Sequence, residues 1–374
     1  MYWNSGLARK DLGIFTAPDC LEIFRPRGGG YGIASKKNWI KNIYFFMSKI
    51  DFEKKKSETK QIYSPIWKNT NNLKKSIKLI KKKLGKCNYH AITMTAELSD
   101  IFLERSDGVK YIINLSSKIL GDKKIFFYSK KNFVRKEIAL KNTSVLNSMN
   151  WHATANCISN FFPNCILVDV GSTTTDIIPI KNQKIISKGS NDHQRLGSNE
   201  LIYLGVLRSP IHAVERKKNL IYENFANLSD VYRVLNKIPI KFDLSPTQDN
   251  KSKNKHDSAR RIARIFGKDY KKTHFLKWKE TASQIEKKQK KILKKRVNKI
   301  KKRNFSKEIP IIGAGVGEFL LKNIFKRKNY FSFYSKINHI KKSNAINCEA
   351  AVSAAIILNS FLERKKSKSR YNSI

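Results

Sequence analysis

The sequence has few acidic residues for its size. Its 374 residues include 29 Asp and Glu against 76 Lys and Arg, which gives a formal net charge of +47. Taken alone, this excess indicates a polyanionic partner such as nucleic acid or an anionic membrane. The lysine runs, however, are interrupted by apolar residues at helical spacing, as in KKQKKILKKRVNKIKKRN. That pattern favours solvated helix faces, so we do not expect nucleic acid as the partner.

Cysteine pairs and long apolar runs are also lacking. The odd number and wide spacing of the cysteines, without any CxxC pair, argue against a disulfide framework and a zinc site. No apolar run approaches the roughly 20 residues of a membrane span, and the first residues lack the layout of a signal peptide. We therefore expect a cytoplasmic protein. The five cysteines are Cys20, Cys87, Cys157, Cys165 and Cys348.

What is present is an alternation of strand-like and helix-like segments, which predicts an α/β chain. HAITM is typical of a buried strand, and TAELSDIF predicts a helix start with Thr95 as N-cap and Glu97 in its first turn. VKYIINL and KIFFYS are β-rich runs. Further on, we predict a basic helix over about residues 271–302 and an Ala-faced closing helix in CEAAVSAAIILNSFL.

The segment CILVDVGSTTTDIIPI, residues 165–180, carries the strongest functional signal. Two apolar strands flank a turn of small residues, and such a turn offers backbone N–H groups and hydroxyls to an anion. Asp169 and Asp176 would repel a bare phosphate, so we predict that they hold Mg²⁺ against phosphate oxygens. A hairpin turn with nothing bound is the alternative. The predicted phosphate-binding residues are Gly171, Ser172, Thr173, Thr174 and Thr175.

A second glycine turn lies in IPIIGAGVGEFLLKNIF. Here a predicted strand leads through Gly313, Gly315 and Gly317 into a helix, an arrangement that can place N–H groups at a ligand. The spacing is not that of the dinucleotide fingerprint. A tight strand–helix turn without a ligand is equally compatible with this segment.

Together these segments resemble a known family. DVGSTTTDIIPI is similar to the second phosphate loop of the actin-like, sugar-kinase-like ATPase superfamily, in its hydantoinase and oxoprolinase branch. AITMTAELSDIFLERSDGV, NWHATA, RLGSNELIYLGVLRSPI, LSDVYRVL, SARRIARIFG and PIIGAGVGEFL resemble the tetrahydromethanopterin-linked one-carbon transfer pathway proteins of that branch, in the expected order from about residue 63 to 362. The resemblance implies a two-lobed actin-like (ribonuclease H-like) α/β fold with phosphate loops between the lobes.

The resemblance also implies a chemistry. Relatives join a furan-methyl diphosphate to the phenol of a glutamyl-tyramine unit in methanofuran biosynthesis, so the implied enzyme is a Mg²⁺-assisted transferase acting on a small phosphorylated substrate. Asp169 and Asp176 would then be the metal-associated acids, and Glu97 could activate the phenol or orient the substrate. Gly313, Gly315 and Gly317 would close the far side of the site.

Several assignments stay open from the sequence. Arg195 and Arg208 could clamp a diphosphate or a carboxylate bidentately, or form surface ion pairs. His152 is more typical of a packed histidine than of a base. An ATP-dependent hydantoinase-like hydrolase and a non-enzymatic polynucleotide-binding protein are the alternative functions, and ATP is a possible cofactor.

The implied organisation is a first lobe over residues 1–150, a second lobe over 151–344 and a closing helix with a basic tail over 345–374. The family pattern opens with a strand and an Asp-Ile-Gly-Gly loop followed by Lys. Here no Asp precedes the GGGYG segment, and Gly28–Gly32 with Lys36 is at most a degraded form of that loop. The first lobe therefore departs from the family pattern.

Overall fold

The structure, a computed structural model, describes residues 44–52, 56–95, 97, 99–216, 219–325, 327–335, 337 and 348–371. The segment Gly28–Gly32, Lys36 and Cys20 lie outside the described residues.

Strands and helices alternate along the described chain, as predicted. The strands are β1 (Tyr44–Asp51), β2 (Lys56–Tyr63), β3 (His90–Ile92), β4 (Ile125–Tyr128), β5 (Phe133–Val134), β6 (Cys165–Val170), β7 (Thr175–Lys181), β8 (Lys184–Ile185), β9 (Leu201–Ile202), β10 (Ile311–Ala314) and β11 (Tyr330–Ser332). The α-helices are α1 (Asn71–Leu84), α2 (Arg105–Leu120), α3 (Lys136–Lys141), α4 (Asn150–Ser159), α5 (Asp192–Gly197), α6 (Leu228–Val234), α7 (Lys255–Ile265), α8 (Phe275–Asn304), α9 (Glu318–Ile324) and α10 (Glu349–Tyr371).

The largest sheet has the order β11-β10-β6-β7-β8, with β9 pairing beside β7. β6 is parallel to β10 and antiparallel to β7. Because side chains alternate across a strand, β6 contributes side chains to two hydrophobic cores. Ile166, Val168 and Val170 pack into the core that contains α8 residues, whereas Cys165 and Leu167 pack into the core that contains α4 and α10 residues.

This alternation determines where the two acidic residues point. The Asp169 side chain lies on the same face of the sheet as those of Cys165 and Leu167. Its β7 partner Asp176 shares a face with Ile178. Both carboxylates therefore lie on the sheet face that α4 and α10 cover.

A smaller sheet of order β3-β4-β5 packs with α1 and α2 around a third core. β1 and β2 form an antiparallel hairpin. α10 contacts α4, β1 and β3, so a single helix connects the hairpin, the small sheet and the second core. The core around α4 also includes Phe126 and Phe133, which precede residue 150. The lobe boundary at residue 150 stays a prediction.

One prediction near Glu97 is wrong, and another stays a prediction. The helix start predicted at Thr95 depends on residues 96 and 98, which lie outside the described residues, and the next α-helix, α2, begins at Arg105 with Glu104 as N-cap. VKYIINL, predicted as a strand, lies inside α2, because Val109, Ile112 and Ile113 are buried at helical spacing in the third core. The β-branched residues favour strands locally, but burial of this face decides the structure.

Other predictions are confirmed. KIFFYS forms β4, the hairpin strands flank the turn after Val170, and the basic helix runs from Phe275 to Asn304. The closing helix is α10. Within the part of the chain that the structure describes, no helix is both long and apolar enough to span a membrane.

Candidate functional site

The turn Gly171–Thr174 connects β6 and β7 at one end of the central sheet. The Gly171 N–H donates to the Thr174 carbonyl over 2.8 Å, and Val170 pairs with Thr175 to close the hairpin. Gly171, Ser172, Thr173 and Thr174 line a broad cleft of about 2730 Å³. Thr175 is fully buried instead, and its hydroxyl donates to the Leu204 carbonyl over 2.6 Å, so the structure gives it a role in holding β7.

The segment 204–209 lies behind this turn. The N–H groups of Val206, Leu207 and Arg208 donate to the carbonyls of Gly171 and Ser172 over 2.9 to 3.1 Å. A Cβ on Gly205 would lie 2.5 Å from both Ser172 C and Thr173 N, so only glycine permits this approach. These bonds use carbonyl oxygens of the turn and none of its N–H groups.

Three carboxylates meet beside the turn. Asp169 lies at the end of β6, its partner Asp176 lies on β7, and Glu349 begins α10; all three line the cleft. Burial, with the neighbouring charges of Glu349 and Asp176, holds the pKa of Asp169 well above its ordinary value. The surplus negative charge at Asp169 therefore favours a proton or a cation.

Asp176 is neutralised by Arg195. Arg195 Nη2 donates to Asp176 Oδ1 over 2.7 Å and to the Glu200 carbonyl over 3.1 Å. The guanidinium also lies over the Trp151 ring, with Cζ 3.9 Å from the ring centroid. Arg195 is 1% exposed, so its ion pair is buried and not at the surface. A direct role for Asp176 in metal binding and for Arg195 in clamping substrate stays a prediction.

The second glycine turn packs against the first. Gly315 has φ +80, and its N–H donates to Glu349 Oε1 over 3.0 Å. The Gly317 N–H donates to the Val170 carbonyl over 2.8 Å. Gly315 lines the cleft, whereas a Cβ on Gly313 would collide with Tyr330 and one on Gly317 with Val206. The structure thus gives Gly313 and Gly317 packing roles, and phosphate binding by these three glycines stays a prediction.

Glu97 lines the same cleft and is 1% exposed. Its Oε1 accepts from the Ser148 N–H over 2.8 Å and from Ser148 Oγ over 3.0 Å. Its Oε2 has no hydrogen-bond partner among the described residues. Burial raises the pKa of Glu97, and the two Ser148 bonds oppose that shift. Gly108 makes the packing possible, because a Cβ there would lie 2.7 Å from the Glu97 carbonyl oxygen.

The remaining candidates take different positions. Arg208 lines the cleft with Nη2 3.4 Å from Ser172 Oγ, beside the turn. His152 is buried with Nδ1 2.9 Å from Tyr128 Oη, and burial lowers its pKa to about 4. The interpretation of His152 as a packed histidine is confirmed.

Among the described residues, no group of three or more His, Cys, Asp or Glu side chains is placed to hold a metal ion. Mg²⁺ nevertheless commonly uses one or two carboxylates together with water and substrate phosphates. Asp169 fits this need for one or two carboxylates. Glu349 lies beside it, and the ion pairs of the described residues give Asp169 no basic partner. Asp176 fits it less well, because Arg195 already compensates its charge.

Sequence reasoning missed three residues of this site. Glu349 was recognisable only as an acid opening an Ala-rich helix, and nothing local to it indicates that it meets Asp169. Gly205 stands in a segment with no glycine pattern. Trp151 stands in the NWHATA segment, and its stacking on Arg195 depends on contacts between distant elements.

Comparisons with known proteins show the family to which the chain belongs. The hydantoinase/oxoprolinase family profile matches residues 88–352. The chain is 33% identical over 279 residues to the (4-{4-[2-(gamma-L-glutamylamino)ethyl]phenoxymethyl}furan-2-yl)methanamine synthase of Methanocaldococcus jannaschii, covering 72% of this chain and 83% of that protein. It is 41% identical over 117 residues to the synthase of the same name from Methanococcus vannielii, covering 29% of this chain and 52% of that protein.

A solved structure of acetone carboxylase in its nucleotide-free state superposes with a TM-score of 0.44 at 12% identity, covering 78% of this chain and 45% of that chain. The family match extends over both the small sheet and the central sheet, and the M. jannaschii synthase is related over most of its length. The chain therefore belongs to the hydantoinase/oxoprolinase family of enzymes, has the two-lobed, actin-like α/β fold expected from its sequence, and is a homologue of the furan-methanamine synthases of methanofuran biosynthesis.

Proposed function

We propose that this enzyme is a cytoplasmic transferase that condenses a furan-methyl diphosphate with a phenolic glutamyl-tyramine acceptor. The product named for its relatives contains a phenoxymethyl link between a glutamyl-tyramine unit and a furan. Forming that ether requires the phenol oxygen to attack the furan-methyl carbon while the carbon–oxygen bond to the diphosphate breaks. The phenol proton goes to a base, and diphosphate leaves.

The observation that carries this proposal is the hydroxyl-lined turn Gly171–Thr174, which shares one cleft with the buried carboxylate of Glu97. A leaving diphosphate gains negative charge as the bond breaks, and prepositioned donors stabilise that charge. Ser172, Thr173 and Thr174 supply hydroxyls, and Arg208 lies beside Ser172 with a positive charge.

Asp169, with Glu349 beside it, would hold Mg²⁺ where the turn meets the cleft. The ion would supply charge neutralisation to the diphosphate. Where these carboxylates are ionised and hold no cation, their negative charge would repel the same diphosphate. Arg195, by neutralising Asp176, keeps that repulsion from growing.

Glu97 would take the phenol proton. A free phenol has a pKa near 10, and a carboxylate whose pKa is raised is a better base toward it than an ordinary one. Ser148 holds Oε1 in place through two hydrogen bonds, which leaves Oε2 for the substrate.

The turn would suit ATP as well as a substrate diphosphate, and a hydantoinase-like reaction would need the nucleotide. Purified enzyme is to be supplied with the furan-methyl diphosphate, glutamyl-tyramine and Mg²⁺, with pyrophosphate release and ether product both measured. We expect equal amounts of the two products without ATP, and a loss of about 100-fold or more in Asp169→Asn if this residue contributes charge stabilisation of the usual size.

Asp122→Asn is the control, because Asp122 is an exposed partner of Lys136 at 3.2 Å; it should retain full activity. Turnover that requires ATP and releases its γ-phosphate would replace this proposal with the hydantoinase-like reaction. Calorimetric binding of pyrophosphate and of ATP, with and without Mg²⁺, distinguishes the two ligands independently of turnover.

A further inference from the structure

One wall of the cleft is a basic stripe on α8, defined here as Lys288, Lys295, Arg296 and Lys299. These positions are separated by seven, eight and eleven residues and fall on one helix face. Ile292 lies between them, and all five side chains line the cleft that contains the phosphate turn. The opposite face of α8, with Leu293, Val297 and Ile300, is buried in the core.

α8 is fixed beside the turn at two points. Gln289 Nε2 donates to the Gly205 carbonyl over 3.0 Å, and Gly205 packs directly on Ser172 and Thr173. Near the other end, Arg303 Nη1 donates to the Ser198 carbonyl over 2.8 Å. The basic stripe therefore runs along the 198–216 segment and is held in place relative to the site.

The charge of the basic stripe is mostly uncompensated. Lys288 pairs with Glu215, with Nζ 2.6 Å from Oε1. Elsewhere on α8, basic side chains meet acids, as Lys290 does with Glu286 at 2.9 Å. Among the residues that the structure describes, Lys295, Arg296 and Lys299 form no ion pair. Three positive side chains thus face the cleft without an acidic partner.

We propose that the basic stripe binds the carboxylate end of the acceptor, with Arg296 as the bidentate contact and Lys295 and Lys299 beside it. This inference rests on the proposed function. A γ-glutamyl amide keeps its α-carboxylate free, and the planar guanidinium fork of arginine matches a carboxylate. Arg296 is half-buried, which orders its side chain better than a fully exposed lysine.

The leaving diphosphate is another anion that basic side chains could bind, so the test compares two acceptors and the donor. One acceptor is γ-glutamyl-tyramine. The other is γ-aminobutyryl-tyramine, which has the same length and ammonium group but lacks the α-carboxylate. The variant is Arg296→Gln. Its control is Lys294→Gln, a neighbouring exposed lysine that does not line the cleft.

We expect Arg296→Gln to lower kcat/KM for γ-glutamyl-tyramine by about 10- to 100-fold, the range of a charge-assisted hydrogen bond. The same variant should leave kcat/KM for γ-aminobutyryl-tyramine and the KM of the diphosphate donor within about twofold of wild type, as expected for a contact confined to the carboxylate. Lys294→Gln should behave as wild type with both acceptors.

An equal loss of kcat/KM with both acceptors would overturn the proposal and indicate a purely structural role for Arg296. A raised KM for the diphosphate alone would overturn it as well and indicate that Arg296 binds the diphosphate. Calorimetric binding of γ-glutamyl-tyramine to both proteins gives a readout that needs no turnover. The wild-type enzyme could bind this acceptor and yet convert neither acceptor with the diphosphate donor. The proposed function would then fail, but comparing acceptor binding to wild type and Arg296→Gln would still test the basic stripe. Identical binding to wild type and Arg296→Gln would overturn the inference by itself.

Discussion

At the scale of single residues, the site depends on close packing between segments that are distant in sequence. Gly205 packs against the turn Gly171–Thr174, and Gly108 allows α2 to approach the backbone of Glu97. The turn and the proposed base therefore keep their positions because these two glycines have no side chain.

Gly205→Ala should disrupt the turn Gly171–Thr174. Its Cβ would lie 2.5 Å from Ser172 C and Thr173 N, which are backbone atoms that cannot rotate away. Overpacking of this kind costs about 1–3 kcal/mol, and displacement of the turn should also abolish pyrophosphate binding. Thermal unfolding and calorimetry measure the two effects.

Gly197→Ala is the matched control, since no atom lies within 4 Å of a Cβ there and the residue ends a helix. It should be neutral or slightly stabilising. Equal effects of the two substitutions would contradict the packing role assigned to Gly205.

The pH dependence of activity should report the raised pKa of Glu97. A general base must be ionised, so kcat/KM should fall as the pH drops through that pKa, which lies above the usual 4.5. Ser148→Gly removes the Oγ hydrogen bond that favours the ionised form while keeping the N–H donor and suiting the φ of 50 at this position. The acid limb should therefore move to higher pH in Ser148→Gly and disappear in Glu97→Gln.

Ser144→Gly, at an exposed serine, should leave the profile unchanged. An acid limb that stays in place in both Glu97→Gln and Ser148→Gly would show that another group is the base.

At the scale of elements, sequence patterns predicted the secondary structure where burial and propensity agree. The strands on both sides of the turn and the long helix α8 are of this kind. VKYIINL failed because its β-branched residues favour a strand, whereas its buried residues follow helical spacing inside α2. The capping residues show the same limit: SARRIARIFG predicts a helix that starts at Ser258, whereas α7 begins at Lys255 with Asn254 as its cap.

An ion-pair network joins α6 and α7. Asp230 is 2% exposed, and its Oδ1 accepts from Arg233 Nη1 and from Arg261 Nε, both over 2.9 Å. Asp230→Ala would leave two buried guanidinium groups short of a partner. We expect a loss of about 3–5 kcal/mol in the free energy of unfolding, as for other broken buried pairs, measured by denaturant unfolding.

Asp122→Ala is the comparison, because it breaks an exposed pair with Lys136. The expected loss is less than about 1 kcal/mol. Similar losses at the two positions would mean that the buried network contributes little to the packing of α6 against α7.

At the scale of the whole molecule, the net charge of +47 opposes the folded state through self-repulsion. Screening at physiological ionic strength limits charge interactions to about 8 Å. The melting temperature should therefore rise as salt is added from a low starting concentration, and it should rise at low salt in the exposed double variant Lys291→Glu with Lys294→Glu.

Lys291→Gln with Lys294→Gln removes half as much positive charge and should give an intermediate melting temperature. A melting temperature that is independent of both salt and these substitutions would show that the basic surface is already balanced. The differences in melting temperature among wild type and the two double variants should shrink as salt increases, because screening weakens the repulsion between the basic side chains.

The sequence by itself determined the turn of small residues, the strands around it, the α/β class and the family. These features depend on local composition, since apolar runs, glycines and small hydroxyl residues mark strands and the turn between them. Only the tertiary structure decided which partners the acidic side chains meet. Asp176 meets Arg195 19 residues away, Glu97 meets Ser148 51 residues away, and Gly315 meets Glu349 34 residues away. Such pairings follow from how sheets and helices stack, and no local pattern in the chain records them.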